Sequence, residues 1–183
     1  MSSIKLDELV IVDIESTCWE PKPAIRTREY ESEIIEIGIA VLDLKGQKPI
    51  TKESVLVKPQ YSKVSPFCTQ LTTLTQEQVN RGCSFFAACE GIRAKYQTQN
   101  RVWASYGDYD RKQFQMECDS KKVKYPFGPR HINIKNLFAV LHRLPKEVGM
   151  PEALTMLGLE LTGTHHRGAD DAYNIALIAS KIL

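Results

Sequence analysis

Long apolar runs are missing from this 183-residue chain, and nowhere does a stretch approach the roughly 20 residues needed to span a bilayer. The opening Met1-Ser2-Ser3-Ile4-Lys5 lacks the apolar core of a secretory signal. The five cysteines (Cys18, Cys68, Cys83, Cys89 and Cys118) are odd in number and include no CxxC pair. That argues against both a disulfide framework and a zinc knuckle. They read as reduced thiols of a cytoplasmic protein, with no membrane partner expected. A strong charge bias is absent too: 24 Lys and Arg against 22 Asp and Glu leave a net +2, which does not by itself announce nucleic acid. Internal repeats and low-complexity tracts are also lacking, and the length suits one domain over residues 1–183.

What is present is organised around Leu9-Val10-Ile11-Val12-Asp13-Ile14-Glu15-Ser16-Thr17. Four apolar, mostly β-branched residues in a row read as a strand buried on both faces. Asp13 and Glu15 sit at its end, two apart, so a strand places them on the same side. Burying an ionised carboxylate costs several kcal/mol unless it is paired or metal-bound. Two together in apolar surroundings point to a cation.

The prolines of Cys18-Trp19-Glu20-Pro21-Lys22-Pro23 stop regular structure, and a polar loop with Arg26 and Arg28 is expected to about Glu31. Residues 33–42 read as a second strand and Val55-Leu56-Val57 as part of a third. Short links between the three imply an antiparallel meander. From Ser65 to Gly82 the pattern predicts a loop and then a short helix, capped by Thr75 with Gln78 completing a capping box. Helices are predicted over 84–97, 109–118, 137–141, 151–157 and 169–183, with strands over 102–105 and 131–134. The class is α/β, with a mixed sheet.

Two later segments carry further candidates. Tyr106-Gly107-Asp108-Tyr109-Asp110 offers two aspartates where a strand turns into a helix, and His165-His166-Arg167-Gly168-Ala169-Asp170-Asp171 heads the last helix. Taken alone, each of these aspartates reads equally as a helix cap, because acids in a first turn stabilise a helix by about 0.3–1 kcal/mol. A lone loop histidine is as readily a solvated one.

In combination these segments resemble a known family. Asp13-Ile14-Glu15-Ser16-Thr17-Cys18 is similar to the DxEATC opening motif of the DEDDh 3′–5′ exonucleases, Tyr109-Asp110-Arg111-Lys112-Gln113-Phe114 to their second motif, and His166-Arg167-Gly168-Ala169-Asp170-Asp171 to their third. The connecting stretches EIIEIG (33–38), VKP…FCTQLTTLTQEQVNR (57–81) and DDAYNIA (170–176) resemble the Eri1-like and KapD-like exoribonuclease branch.

The resemblance implies a ribonuclease-H-like fold, with a five-stranded mixed sheet (three antiparallel strands, then two parallel) flanked by helices, as a single exonuclease domain. It implies metal-dependent 3′–5′ hydrolysis releasing 5′-nucleotides from single-stranded 3′ ends, RNA in preference to DNA. Asp13, Glu15, Asp110 and Asp171 would hold two divalent ions, Mg²⁺ or Mn²⁺, since hard cations prefer oxygen ligands. His166 would be the general base. The motif spacing selects Asp110 over Asp108, Asp171 over Asp170 and His166 over His165.

Main-chain groups around Ser16 and Thr17 would meet the terminal nucleotide. Phe67, Leu71 and Thr72 lie where the family has an apolar wedge and a sugar contact, or are ordinary core. Trp19 is a base-stacking or lid residue. Glu36 reads as structural. Lys112, Lys121, Lys122, Lys124, Arg130 and Lys135 would either track phosphates or form solvated surface. No SAP-like segment accompanies the motifs, so selectivity for structured RNA is expected from the catalytic domain or a partner. Two other readings are a catalytically silent nucleic-acid-binding module and a two-metal phosphoesterase of short oligonucleotides or dinucleotides.

Overall fold

Strand β1 (Lys5–Ser16) is the middle of the sheet, because its apolar run has no polar face to offer solvent. It pairs antiparallel with β2 (Ile34–Asp43), which pairs antiparallel with the edge strand β3 (Lys48–Leu56). On its other side β1 pairs parallel with β4 (Arg101–Ser105), and β4 pairs parallel with β5 (His131–Asn133). The order is β3-β2-β1-β4-β5, the three-plus-two mixed sheet expected. The computed structural model describes residues 4–24 and 27–183. Residues 1–3 of the missing-signal reading and Arg26 of the polar loop lie outside them.

Seven helices are seen among the described residues: α1 (Pro66–Thr72), α2 (Gln76–Asn80), α3 (Phe85–Tyr96), α4 (Tyr109–Lys121), α5 (Ile134–Leu141), α6 (Met150–Met156) and α7 (Gly168–Ile182). The two faces of β1 pack on different helices, as period-2 alternation requires. Val10, Val12 and Ile14 join Phe85, Ile92 and Phe114 under α3 and α4. Leu9 and Ile11 join Ile175, Ala176 and Ala179 of α7. Asp13 and Glu15 continue the second series, so their strand phase carries them to the α7 side.

The α7 face admits a close backbone approach. A Cβ built on Gly38 of β2 would lie 1.8 Å from the carbonyl carbon of Gly168. One on Gly168 would lie 3.2 Å from the carbonyl oxygen of Asp13. Overpacking ordinarily costs about 1–3 kcal/mol, and backbone on backbone leaves little to yield. Gly38→Ala is therefore expected to lower the melting temperature and push the head of α7 off the sheet, which thermal unfolding and the activity assay described below would register together.

Four expectations need correction. The loop foreseen before the short helix is itself helical at α1, because Ser65 Oγ accepts from the Cys68 N–H at 3.0 Å and Pro66 pre-sets the first turn. The third strand, of which Val55 and Leu56 are part, ends at Leu56 and runs back to Lys48: as an edge strand it alternates exposed and half-buried residues and so shows no apolar run. Val57 falls outside it, in a lone bridge to Cys83. The β1–β2 link is long, with a 3₁₀ turn at Arg28–Tyr30. Finally, two of the six basic residues are engaged. Lys121 is half-buried between Glu33 (2.6 Å) and Glu117 (2.7 Å), and Lys135 pairs with Glu147 at 3.5 Å.

Glu33 also gathers the N–H groups of Gln60, Tyr61 and Ser62. Despite burial, Lys121 and these donors hold its pKa below the ordinary carboxylate range. It pins the segment that leads from β3 into α1.

Candidate active site

The acids of β1 and the head of α7 meet where the strand leaves the sheet. Carboxylate oxygens of Asp13, Glu15 and Asp171 lie within 4.8 Å of one another, and Asp171 lies within the same limit of ring nitrogens of both His165 and His166. No trio within that distance includes Asp110, among the described residues. Asp110, in the first turn of α4, is nevertheless aimed at β1: its Oδ1 accepts from the Ile14 N–H at 3.0 Å. All six side chains line one cavity of about 350 Å³, closed by Tyr106, Tyr109 and the start of α6.

The electrostatics of this cluster are unfavourable as they stand. Glu15 (8% exposed), Asp110 and Asp171 are buried, yet the side chains of Asp13 and Glu15 accept no hydrogen bond from any described residue. Burial raises the Asp13 pKa well above its ordinary value, and the carboxylates of Asp110, Glu15 and Asp171 push it further. Burial and the charges of Asp171, Glu36 and Asp110 bring Glu15 up to about 9. Asp110 rises to about 6, burial outweighing the donors from Ile14, its own N–H and Ser105. Burial likewise raises Asp171. Unpartnered buried carboxylates normally acquire protons or a cation, and an all-oxygen set suits a hard divalent ion. The donor chemistry therefore fits the metal that the sequence implied.

The histidines differ in attachment. His165 Nδ1 is 2.9 Å from Asp171 Oδ2, and its ring stacks on that of His166 with centroids 3.9 Å apart. The His166 ring makes no hydrogen bond among the described residues. Its main-chain N–H donates to Asp171 at 2.9 Å and its φ is +64°. Burial and the neighbouring His165 lower its pKa, which keeps the imidazole neutral and able to accept a proton at pH 7.

The rejected aspartates have other work. Asp108 occupies the cap position of α4 without a side-chain capping bond and pairs instead with Arg111 at 3.0 Å, a correction to the capping role expected of it. Asp170 accepts from the Thr164 N–H at 2.8 Å and pairs with Lys52.

The softer candidates are not among the residues that line the cavity. Ser16 Oγ is buried without a partner. Thr17 is committed to the fold, with its N–H on Glu33 O, its carbonyl accepting from Ser32, and its hydroxyl 2.9 Å from Ser62 Oγ. Phe67 and Leu71 are half-buried on α1, where Thr72 donates to the Cys68 carbonyl at 2.9 Å. Trp19 is half-buried and meets Tyr30 edge-on at 5.6 Å. Sequence reasoning overlooked Tyr106 and Tyr109 as cavity walls. Tyr109 stands beside Asp110 and was the one available signal.

Comparison with known proteins identifies the family and the fold. A family described as Exonuclease (RNase T) matches residues 10–179. The 3′-5′ exoribonuclease 1 of Rattus norvegicus is 30% identical over 188 residues, covering 97% of this chain and 53% of the relative. ERI1 exoribonuclease 2 of Danio rerio is 30% identical, covering 96% of this chain and 35% of the relative. The chain thus spans about half the length, or less, of these relatives. Among solved structures, the nuclease domain of 3′hExo, a DEDDh family member bound to rAMP, superposes with a TM-score of 0.86 at 27% identity, covering 98% of this chain and 93% of that one. A 3′-exonuclease recognising the 3′ end of a histone mRNA stem-loop gives 0.84 at 28% identity, with 98% and 64% covered. The fold is accordingly that of the ribonuclease-H-like DEDDh nucleases, which depend on divalent metal. With its match running through nearly all of the sheet and helices, this chain belongs to the Exonuclease (RNase T) family.

Proposed function

We propose that the chain is a metal-dependent 3′–5′ exonuclease that removes 5′-nucleotides from single-stranded 3′ ends, RNA in preference to DNA, and that residues 1–183 form one exonuclease domain. The observation that carries it is the meeting of Asp13, Glu15 and Asp171 beside two histidines in one cavity, with no described residue donating to the Asp13 or Glu15 side chain. Asp13, Glu15, Asp110 and Asp171 would hold two Mg²⁺ or Mn²⁺ ions. When bound, such ions neutralise charge on the phosphodiester oxygens and favour in-line displacement at phosphorus.

The chain's own groups do the rest. His166 takes the proton of the attacking water, since its lowered pKa keeps the ring basic and uncharged. Asp171 holds His165 and the His166 main chain in place. The cavity admits the terminal nucleotide between α6 on one side and the β1 exit on the other. Ser16, with its unpartnered hydroxyl, and Phe67 and Leu71 of α1 are assigned to that nucleotide. Trp19 and Thr72 stand at its edge, whereas Thr17 supports the turn beneath it.

A 5′-fluorescent RNA oligonucleotide incubated with Mg²⁺ or Mn²⁺ tests the reading. A ladder shortening from the 3′ end is expected, faster than on DNA of the same sequence. Absence of trimming in both metals, or equal trimming by Asp171→Asn, would refute it. Dinucleotides added as competitors show whether short substrates are preferred.

A further inference from the structure

Glu36 of β2 is a fifth carboxylate at the site. It lies directly opposite Glu15 across the β1–β2 ladder and is fully buried. Unlike the metal-facing acids it is completely satisfied. Arg167 reaches it through Nε (3.1 Å to Oε2) and a terminal nitrogen (3.1 Å to Oε1), the Gly168 N–H donates at 2.9 Å, and Ser54 donates from β3. The paired fork geometry is the strong form of this ion pair.

Its importance follows from what Arg167 is attached to. His166 precedes it, on a left-handed backbone and outside any helix, so the direction of its ring depends on how this turn is held. Two carboxylates anchor it there: Asp171 accepts from the His166 N–H, and Glu36 accepts from the Arg167 side chain and the Gly168 N–H. The first uses the same carboxylate oxygens that a cation would claim. The second, the Glu36 carboxylate, shares a sheet face with Glu15 but is already filled by Arg167, Gly168 and Ser54.

From this geometry we infer that Glu36 and Arg167 form a positioning pair that fixes His166 relative to the metal-binding acids of β1, whatever Asp171 is bound to. The inference rests on the reading of the site given above. Arg167 is a positioning residue here, not a substrate contact. A displacement of about 1 Å at the reacting group can cost on the order of 10²-fold in rate, and groups supporting a metal site from behind are commonly worth 10–100-fold.

Arg167→Met, Glu36→Gln, the double variant and Arg167→Lys are compared with the wild-type protein on the labelled RNA in Mn²⁺, with circular dichroism to verify folding. Arg167→Met is expected to lower kcat by about 10–100-fold with KM within about threefold, Arg167→Lys to recover part of the loss, and the double variant to be no worse than the single ones. In the metal-free protein, the imidazole ¹H–¹⁵N signals of His166 should move in Arg167→Met while those of His142, on α5, stay put. A raised KM with unchanged kcat would overturn the inference in favour of a substrate contact, as would additive losses in the double variant. If wild-type protein proves inactive on RNA, the function falls but the His166 signals still decide: an unmoved signal in Arg167→Met refutes the pair.

Discussion

Asp13→Asn should all but abolish RNA trimming while raising the melting temperature of the metal-free protein. Both effects come from the same charge. Asp13 is surrounded by the carboxylates of Glu15, Asp110 and Asp171, and no described group donates to it. Removing its charge relieves that repulsion. With unfolding of a chain this size shifting by about 2–4 °C per kcal/mol, a rise of a few degrees in EDTA near neutral pH is expected. Activity responds in the opposite direction, because metal charge stabilisation contributes several kcal/mol. At 1.36 kcal/mol per tenfold this corresponds to about 10³-fold or more. Scanning fluorimetry and the trimming assay on the same preparation give both numbers. A lowered melting temperature with activity intact would mean that Asp13 is a structural acid and that the site has been misassigned.

The second large effect is a pH-dependent response to metal. Glu15 rises from an ordinary 4.5 to about 9 on folding, Asp110 from 3.8 to about 6, and Asp13 and Asp171 rise as well. An acid whose pKa is raised by folding binds more protons in the native state, so stability falls as pH increases between the unfolded and folded values. The metal-free protein should therefore lose stability from about pH 4 upward, continuing towards about pH 9 as Glu15 ionises. The depressed pKa of His166 acts the other way, costing stability only as pH drops below the ordinary histidine value.

A divalent cation replaces those protons and reverses the trend. At a concentration of about 100 Kd, Mn²⁺ stabilises by about 2.7 kcal/mol, equivalent to roughly 5–10 °C here. That gain should be close to full near pH 8.5 and small near pH 5, because at low pH the ion must first displace bound protons. Calorimetry in buffers of different ionisation enthalpy should show the protons released. A melting-temperature gain that is equal at both pH values would contradict a cation held by this carboxylate cluster.

These tests and the fold draw on different parts of the chain's information. Four uninterrupted apolar residues followed by Asp13 and Glu15 established a central strand and two acids on one side of it, because side-chain direction in a strand depends only on residue parity. The stripe Ala172, Ile175, Ala176 and Ala179 placed α7, and the capping box at Thr75 and Gln78 placed α2, for equally local reasons. Helix α1 and the first half of β3 were harder to read, since a polar helix start and a solvent-facing edge strand carry little apolar periodicity.

Residue order and local spacing thus determined the sheet's core, the candidate acids and the histidine segment that follows them. Only the tertiary structure decided that Glu36 faces Arg167 rather than a cation, that Lys121 is enclosed by Glu33 and Glu117, that Asp108 pairs with Arg111, and that the Asp171 side chain meets the ring of His165 but only the main chain of His166. The physical reason is range. Strand and helix periodicity is set by neighbours two to four residues away, whereas the partner of a buried charge is set by strand register and by how closely α7 packs on β2 at Gly38 and Gly168.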